Sequence, residues 1–458
     1  MTKNTKKNMK KKTRKINKLK NKNIKHTVNK SGGEVIAAGG YGCVFKPALL
    51  CSNEKQRKEN YVSKLIKNED INDEYQEIIK LKPFLEKIPD YNNYFLLDGI
   101  NICKINKLSD EDLKNFHEKC SGTFTEEKHS YKNINQNISD FTSINIPYGG
   151  KDMDYYIQQF YYLNNKKYII NKFININNSL ILLLNNAIIP FNKLNVYHFD
   201  IKSSNILIDD QNNKILSRII DWGLSQIINN EDLNNLSYNL NRAFQYNLPI
   251  SVILFNDFFK EIYAHFLNIH GSIKTTDKQI VELFIIDFIN KFNKKYGKGH
   301  LTTIYEIFLE ILDKNNVNLK NASFKKNIKT KLIQNYIVNY IYEILLKYDK
   351  DIFEYFKNVF LKNVDIYGLI TCYISIYDYV YILDNPQNEP LLNKLRNIFM
   401  KYLFTNSCEI IDITSLSNDL TSLNISFENF DLPRNTNISK NKNILWIYKY
   451  YTKFNSIY

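Results

Sequence analysis

No stretch of this 458-residue chain approaches the roughly 18 consecutive apolar residues that a membrane span requires, so no transmembrane segment is expected. The N-terminus also lacks the short apolar core of a secretory signal. The six cysteines, at 43, 51, 103, 120, 372 and 408, are scattered and form no Cys-x-x-Cys pair. That scatter argues against a zinc site or a disulfide framework and suits a reducing compartment, so a cytoplasmic location is expected. Acidic residues are missing from residues 1–30, and no internal repeat is present.

A charged fraction of 24% and an apolar fraction of 44% belong to a soluble globular chain long enough for two cores. Most of the net charge of +15 lies in residues 1–30, which hold thirteen Lys or Arg. Such a Lys/Asn-rich, apolar-poor segment reads as a disordered tail suited to polyanions, nucleic acid, an anionic membrane or nuclear import. A plain solubilising tail is the alternative. The rest of the chain gives no electrostatic reason to expect nucleic acid.

The chemistry concentrates at His198-Phe199-Asp200-Ile201-Lys202-Ser203-Ser204-Asn205 and, sixteen residues on, at Asp221-Trp222-Gly223. Apolar residues at 180, 181, 183, 184, 187, 188, 191 and 194 have the spacing of a buried helix face. Residues 206–208 and 215–220 read as two strands joined by the polar turn 209–213. A helix therefore delivers a loop with an acid, a lysine and an amide, and a hairpin delivers a second acid. Asp200 and Asp221 are then placed to face one another across a phosphate and a divalent metal.

This layout resembles the catalytic and metal loops of the protein kinases, H-R-D-x-x-x-x-N followed by D-F-G. The resemblance makes Asp200 the base that accepts the substrate hydroxyl proton. It makes Lys202 the cation beside the transferring phosphoryl group, and Asn205 and Asp221 the ligands of Mg²⁺ or Mn²⁺. Residues 34–45 read as strand, glycine-rich turn and strand, similar to the kinase G-x-G-x-x-G-x-V. Ala37 replaces the first glycine, Gly39 and Gly42 are kept, and Gly40 is extra. By this resemblance Ile36, Ala37, Gly39, Gly40, Gly42 and Val44 border ATP. Lys64, inside the short β run 61–66, is the candidate for the lysine that pairs the α/β-phosphates, with Lys67 as the alternative. Its partner on the helix 71–85 is Glu74 or Glu77, which share a face.

Residues 104–140 are polar and read as an inserted helix plus loop. A strand at 141–146 then leads into Pro147-Tyr148-Gly149-Gly150, which resembles a kinase hinge. Ile146 is thereby near the gatekeeper position, and backbone amides near Tyr148 meet the adenine. The activation segment ends near residues 245–251, where a proline is kept but the glutamate of Ala-Pro-Glu is missing. Residues 252–360 form a long aromatic-rich helical stretch, and residues 363–370 resemble the buried C-lobe helix whose Asp365 holds the catalytic-loop backbone.

The implied fold is α+β and bilobal, with a small β-rich N-lobe over a mainly helical C-lobe. Residues 1–32 are the basic tail, 33–150 the N-lobe, 151–435 the C-lobe with its helical insertion, and 436–458 a C-terminal tail. The pattern is similar to serine/threonine kinases of mimivirus-like large DNA viruses, which implies protein substrates and a host-cytoplasmic, virion or nuclear location. Two other readings stand beside it. Small-molecule phosphotransferases share the H-x-D-x-x-x-x-N loop. A pseudokinase scaffold fits the departures at Ala37, Phe199, Trp222 and the missing glutamate.

Overall fold

The computed structural model describes residues 33–432, apart from 40–41, 125–131, 212–213, 230–239, 242, 314–321 and 406. The basic tail at 1–32, the segment at 433–458, and Gly40, Ser237, Tyr238 and Arg242 lie outside the described residues.

The N-terminal region is built on a five-stranded antiparallel sheet of order β1-β2-β3-β5-β4. Its strands are β1 (Glu34–Gly39), β2 (Gly42–Lys46), β3 (Tyr61–Lys67), β4 (Asn101–Cys103) and β5 (Phe141–Pro147). Side chains alternate across a strand, so register decides which face each residue serves. Val44, Lys64 and Ile144 lie directly opposite one another across β2, β3 and β5, and Val62 lies opposite Ile146. On that face Ile66 and Ile144 pack with Ile71 of helix α1 (Ile71–Leu85).

The opposite face carries Cys43, Phe45 and Leu65 and is covered by the residues expected as an insertion. Helix α2 (Phe116–Phe124) places Phe116 and Cys120 on it, so this segment shares a core with the sheet. Polar contacts seat it further. Asp112 is fully buried, takes both guanidinium nitrogens of Arg57 at 2.9 and 2.6 Å, and accepts the Gly33 N–H at 2.8 Å. The Lys119 ammonium donates to the Val35 carbonyl at 2.8 Å, where β1 bulges between Val35 and Ala37.

Here the cysteine expectation is corrected. Cys43 of β2 is bonded to Cys120 of α2, and Cys51 is bonded to Cys103 of β4. The pairs are 77 and 52 residues apart; the first meets because the inserted segment folds back on the sheet, the second because the chain after β2 runs beside the end of β4. Sequence spacing alone carries no sign of that.

The C-terminal region is mainly helical. After β6 (Lys151–Asp152) and α3 (Met153–Gln158), helix α4 (Lys166–Leu183) continues through a wider turn into the short helix Ile189–Lys193. Two small sheets follow, β6 with β8 (Ile206–Gln211) and β9 (Lys214–Ile219), and β7 (Val196–Tyr197) with β10 (Gln226–Ile227). The long aromatic stretch forms α5 (Asp257–His270), α6 (Lys278–Tyr296), α7 (Leu301–Asp313) and α8 (Ala322–Tyr348). Beyond them come α9 (Leu361–Cys372), buried along nearly its whole length, then α10 (Ile374–Ile382), α11 (Glu389–Phe399) and α12 (Ile413–Glu428).

Two helical runs, Lys166–Lys193 and Ile352–Ile382, are long and apolar enough by composition to cross a membrane. A search for uninterrupted apolar runs passes over them because polar residues are scattered within each. Both contribute to the main core, and 83% of the apolar window of the second is buried.

Peptide mapping under non-reducing conditions should recover the linked pairs 43–120 and 51–103, with Cys372 and Cys408 alkylated as free thiols. Recovery of all six cysteines as thiols from unreduced, folded protein would contradict the pairing.

Candidate active site

The site begins with a buried carboxylate that is not itself in it. Asp365 of α9 is 1% exposed and accepts the backbone N–H of His198 and of Phe199, each at 3.0 Å, and the Asn192 side-chain N–H at 2.8 Å. Burial pushes its carboxyl pKa up, against the opposing pull of His198 and these donors. Three residues along α9, a Cβ on Gly368 would lie 2.6 Å from the Ile201 carbonyl, so only glycine lets the helix come this close to the loop.

The loop held in this way is strained. Phe199 has φ of 58°, an uncommon conformation for a bulky residue that costs on the order of 1–3 kcal/mol unless its surroundings enforce it. Phe199 is 1% exposed and packs near the Tyr197 ring, so core packing supplies part of that enforcement. His198 is fully buried. Its Nδ1 accepts the Asp200 N–H at 3.3 Å and its Nε2 faces the Ile220 carbonyl at 3.1 Å, which a neutral Nε2–H ring satisfies at both nitrogens. Burial holds its pKa down, although Asp365, Asp200 and Asp221 all act to raise it.

The Asp200 carboxylate is fixed at both oxygens. Oδ2 accepts from the Lys202 ammonium at 2.9 Å and from the Asn205 side-chain N–H at 2.9 Å. Oδ1 accepts from Asn247 at 3.0 Å. Asn205 also donates to the Asp200 carbonyl at 2.9 Å, so its amide nitrogen is committed and its oxygen is turned away from Asp200. The Asn205 carbonyl accepts the Ile220 N–H at 3.0 Å, which joins the catalytic loop to the residue before Asp221.

Asp221 is exposed, with φ of 67°, a second left-handed non-glycine residue. Trp222 is buried with its ring 4.7 Å from His198, 5.5 Å from Phe95 and 6.0 Å from Phe191. The tryptophan departure is thus absorbed by an aromatic stack that anchors the acid beside it.

The donor set fits a divalent metal of one kind. An amide oxygen at Asn205 and an exposed carboxylate at Asp221 are hard ligands, and among the described residues no three His, Cys, Asp or Glu gather to form a closed cage. Mg²⁺ characteristically keeps water and substrate phosphate in its remaining positions, so two protein ligands suffice.

The nucleotide end departs more from expectation. Val44, Lys64 and Ile144 lie in one row and Ile146 lies on the same face, as their register requires. Ile144, opposite Lys64, is fully buried against Ile66 and Ile71, a position the sequence did not mark. Ile36 is 38% exposed, Ala37 is exposed, and Gly39 and Gly42 close the β1–β2 hairpin. Glu74 lies on α1, but its side chain is outside the described residues, while Glu77 is half-buried. Of the backbone amides near Tyr148, that of Tyr148 itself donates to the Asn60 carbonyl at 2.8 Å. The β3–β5 ladder runs one residue beyond both strands, and Pro147 has no N–H to offer in its place. The Lys46 ammonium lies 2.9 Å from the centre of the Tyr148 ring.

Asn247 is the other residue missed. It lies 47 positions from Asp200, two before Pro249, and nothing in its type marks it. The position of the absent Ala-Pro-Glu glutamate, directly after Pro249, is Ile250, which is buried. Ser251 is held instead by the Tyr355 hydroxyl at 3.0 Å. The buried C-lobe arginine Arg396 finds its carboxylate at Glu389, 2.7 Å away on its own helix.

No protein-family model and no curated protein matches the sequence. Among solved structures the chain is similar to the kinase PK-1 of Cydia pomonella granulovirus, at 16% identity and a TM-score of 0.24. The match covers 50% of this chain and 65% of that one. At this TM-score the likeness says nothing about function.

Asp365→Ala would strip the acceptor from two buried N–H groups, each worth about 1–3 kcal/mol when left unpaired. Denaturant unfolding should show a loss of about 2–6 kcal/mol. A loss below about 1 kcal/mol would mean that Asp365 does not hold the loop.

Proposed function

We propose that the chain is an ATP-dependent protein kinase that transfers the γ-phosphoryl group to serine or threonine hydroxyls. The observation that carries this reading is the Asp200 carboxylate fixed by Lys202, Asn205 and Asn247, on a strained loop tied to Asp221. Phosphoryl transfer asks little covalent chemistry of a protein, but it does ask for a positioned base, a cation and hard metal ligands.

In this reading Asp200 accepts the proton of the attacking hydroxyl. Lys202, already 2.9 Å from that carboxylate, lies beside the incoming phosphoryl oxygens. Asn205 and Asp221 would hold Mg²⁺, which supplies charge neutralisation of the phosphates. Val44 and Ile146 form the apolar wall for the base, and Lys64 in the same row as Val44 faces the phosphates. Lys202 two residues after the base, and the helix that carries Asp365, favour protein over small-molecule acceptors. The substrates are then proteins, and the location remains the expected cytoplasm, virion or nucleus of a host cell.

A scaffold reading has one observation in its favour, the Tyr148 amide closed off by Asn60. It leaves the four polar groups at Asp200, Lys202, Asn205 and Asp221 without a purpose, and strain at Phe199 has no reason to persist in a scaffold.

Asp221→Asn removes an anionic metal ligand and should abolish transfer to a peptide mixture while circular dichroism stays native. Asp200→Asn should lower kcat by about 100-fold or more and leave ATP affinity within about threefold, since a general base contributes 10²–10⁴. Undiminished phosphorylation by folded Asp221→Asn, or an equal loss of ATP binding in Asp200→Asn, would contradict these roles.

A further inference from the structure

Asn247 is fully buried, and its side-chain N–H₂ serves two acceptors on the catalytic loop, Asp200 Oδ1 at 3.0 Å and the Ile201 carbonyl at 3.2 Å. Its Oδ1 is also buried and has no partner among the described residues. A structural amide normally satisfies both ends, and leaving a buried carbonyl without a donor is destabilising. The residue is thus kept for its donor end, which is aimed at the base.

The residues just before Asn247 are gripped by the helical insertion. The His300 N–H donates to the Phe244 carbonyl at 2.8 Å. The Phe244 ring lies 5.6 Å from Phe292 of α6, and the Tyr246 ring 5.3 Å from His300. At the top of α6 the Tyr296 hydroxyl reaches the Asn241 side-chain oxygen at 3.4 Å. The turn at residues 297–300, between α6 and α7, makes the closest approach. Gly299 has φ of 48°, and a Cβ there would lie 2.4 Å from the Phe244 carbonyl, so the grip needs glycine.

We propose that Asn247 is a positioning residue for the base Asp200, and that the turn at residues 297–300 of the insertion clamps Asn247 in place. This rests on the phosphotransfer reading and gives the insertion a role within it. Asp200 Oδ2 accepts from its own loop, and Oδ1 accepts from Asn247 at the far end of the activation segment. Loss of the Asn247 bond removes one of the contacts that orient the carboxylate, and misplacement of a reacting group by about 1 Å can cost on the order of 100-fold in rate.

The test uses the full chain and separates kcat from KM. Asn247→Leu should lower kcat about 10- to 100-fold with KM for ATP within about twofold. Asn247→Thr, which keeps a donor, should recover to within about fivefold of wild type. Gly299→Ala should lower kcat about tenfold, and the double variant should be no slower than Asn247→Leu, because the two changes act along one route. Wild-type kcat in folded Asn247→Leu, or losses that multiply in the double variant, would overturn the proposal. Should Asn247→Leu fail to fold, the isosteric Asn247→Asp replaces the donor with a like charge and should show the same split. An unchanged kcat there would overturn the proposal equally.

If the wild-type protein transfers phosphate to no acceptor, the phosphotransfer reading fails, and amide hydrogen exchange still tests the clamp. Faster exchange at residues 198–202 in the Asn247 variant and at 244–248 in Gly299→Ala is the expected result. Unchanged protection in both would overturn it.

Discussion

Two backbone N–H groups pointing at one buried carboxylate hold this site together. Asp365 takes the amides of His198 and Phe199, and with that the loop carrying Asp200, Lys202 and Asn205 is hung from a helix buried along nearly its whole length. A left-handed Phe199 would relax if that acceptor were lost, because its conformation is unfavourable and only the surroundings enforce it. From the loop the constraint passes outward, through Asn205 to Ile220 and so to Asp221, and through His198 to the Trp222 ring. Asp221 and Asp200 are thus placed by one continuous set of contacts, although they come from different elements.

The two ends of the cleft are built differently. The acceptor end is dense with satisfied polar contacts, whereas the nucleotide end combines an apolar row with a hinge amide already spent on Asn60. Bonds across the N-terminal sheet add to this contrast. Cys120 and Lys119, neighbours on α2, fasten β2 and the bulge in β1, the two strands of the glycine hairpin. Under the proposed function, adenine would be recognised mainly by apolar side chains and by hinge groups other than the Tyr148 N–H.

What was legible in the sequence was local. Asp200, Lys202, Asn205 and Asp221 stand at fixed short spacings, because one loop and one hairpin carry them, and short-range geometry is written directly in residue order. Helix α1 and strands β3 and β5 were legible for the same reason, since periodicity is a local property. Asp365 was legible because its neighbours repeat a helix pattern tied to one role. What stayed hidden was set through space. Asn247 meets Asp200 across 47 residues, Cys43 meets Cys120 across 77, and the Tyr148 amide is taken by Asn60 in the turn before β3. That Ile144 lies opposite Lys64 was hidden as well, because register is fixed by the whole ladder.

The most direct test of the account is transfer of radiolabelled γ-phosphate from ATP to a protein acceptor by the purified full-length chain, with Mg²⁺ or Mn²⁺ and with chelator. The account predicts label on serine or threonine of the acceptor that is lost when the metal is removed. Tight ATP binding with no label on any protein acceptor in either metal, from folded protein, would contradict it.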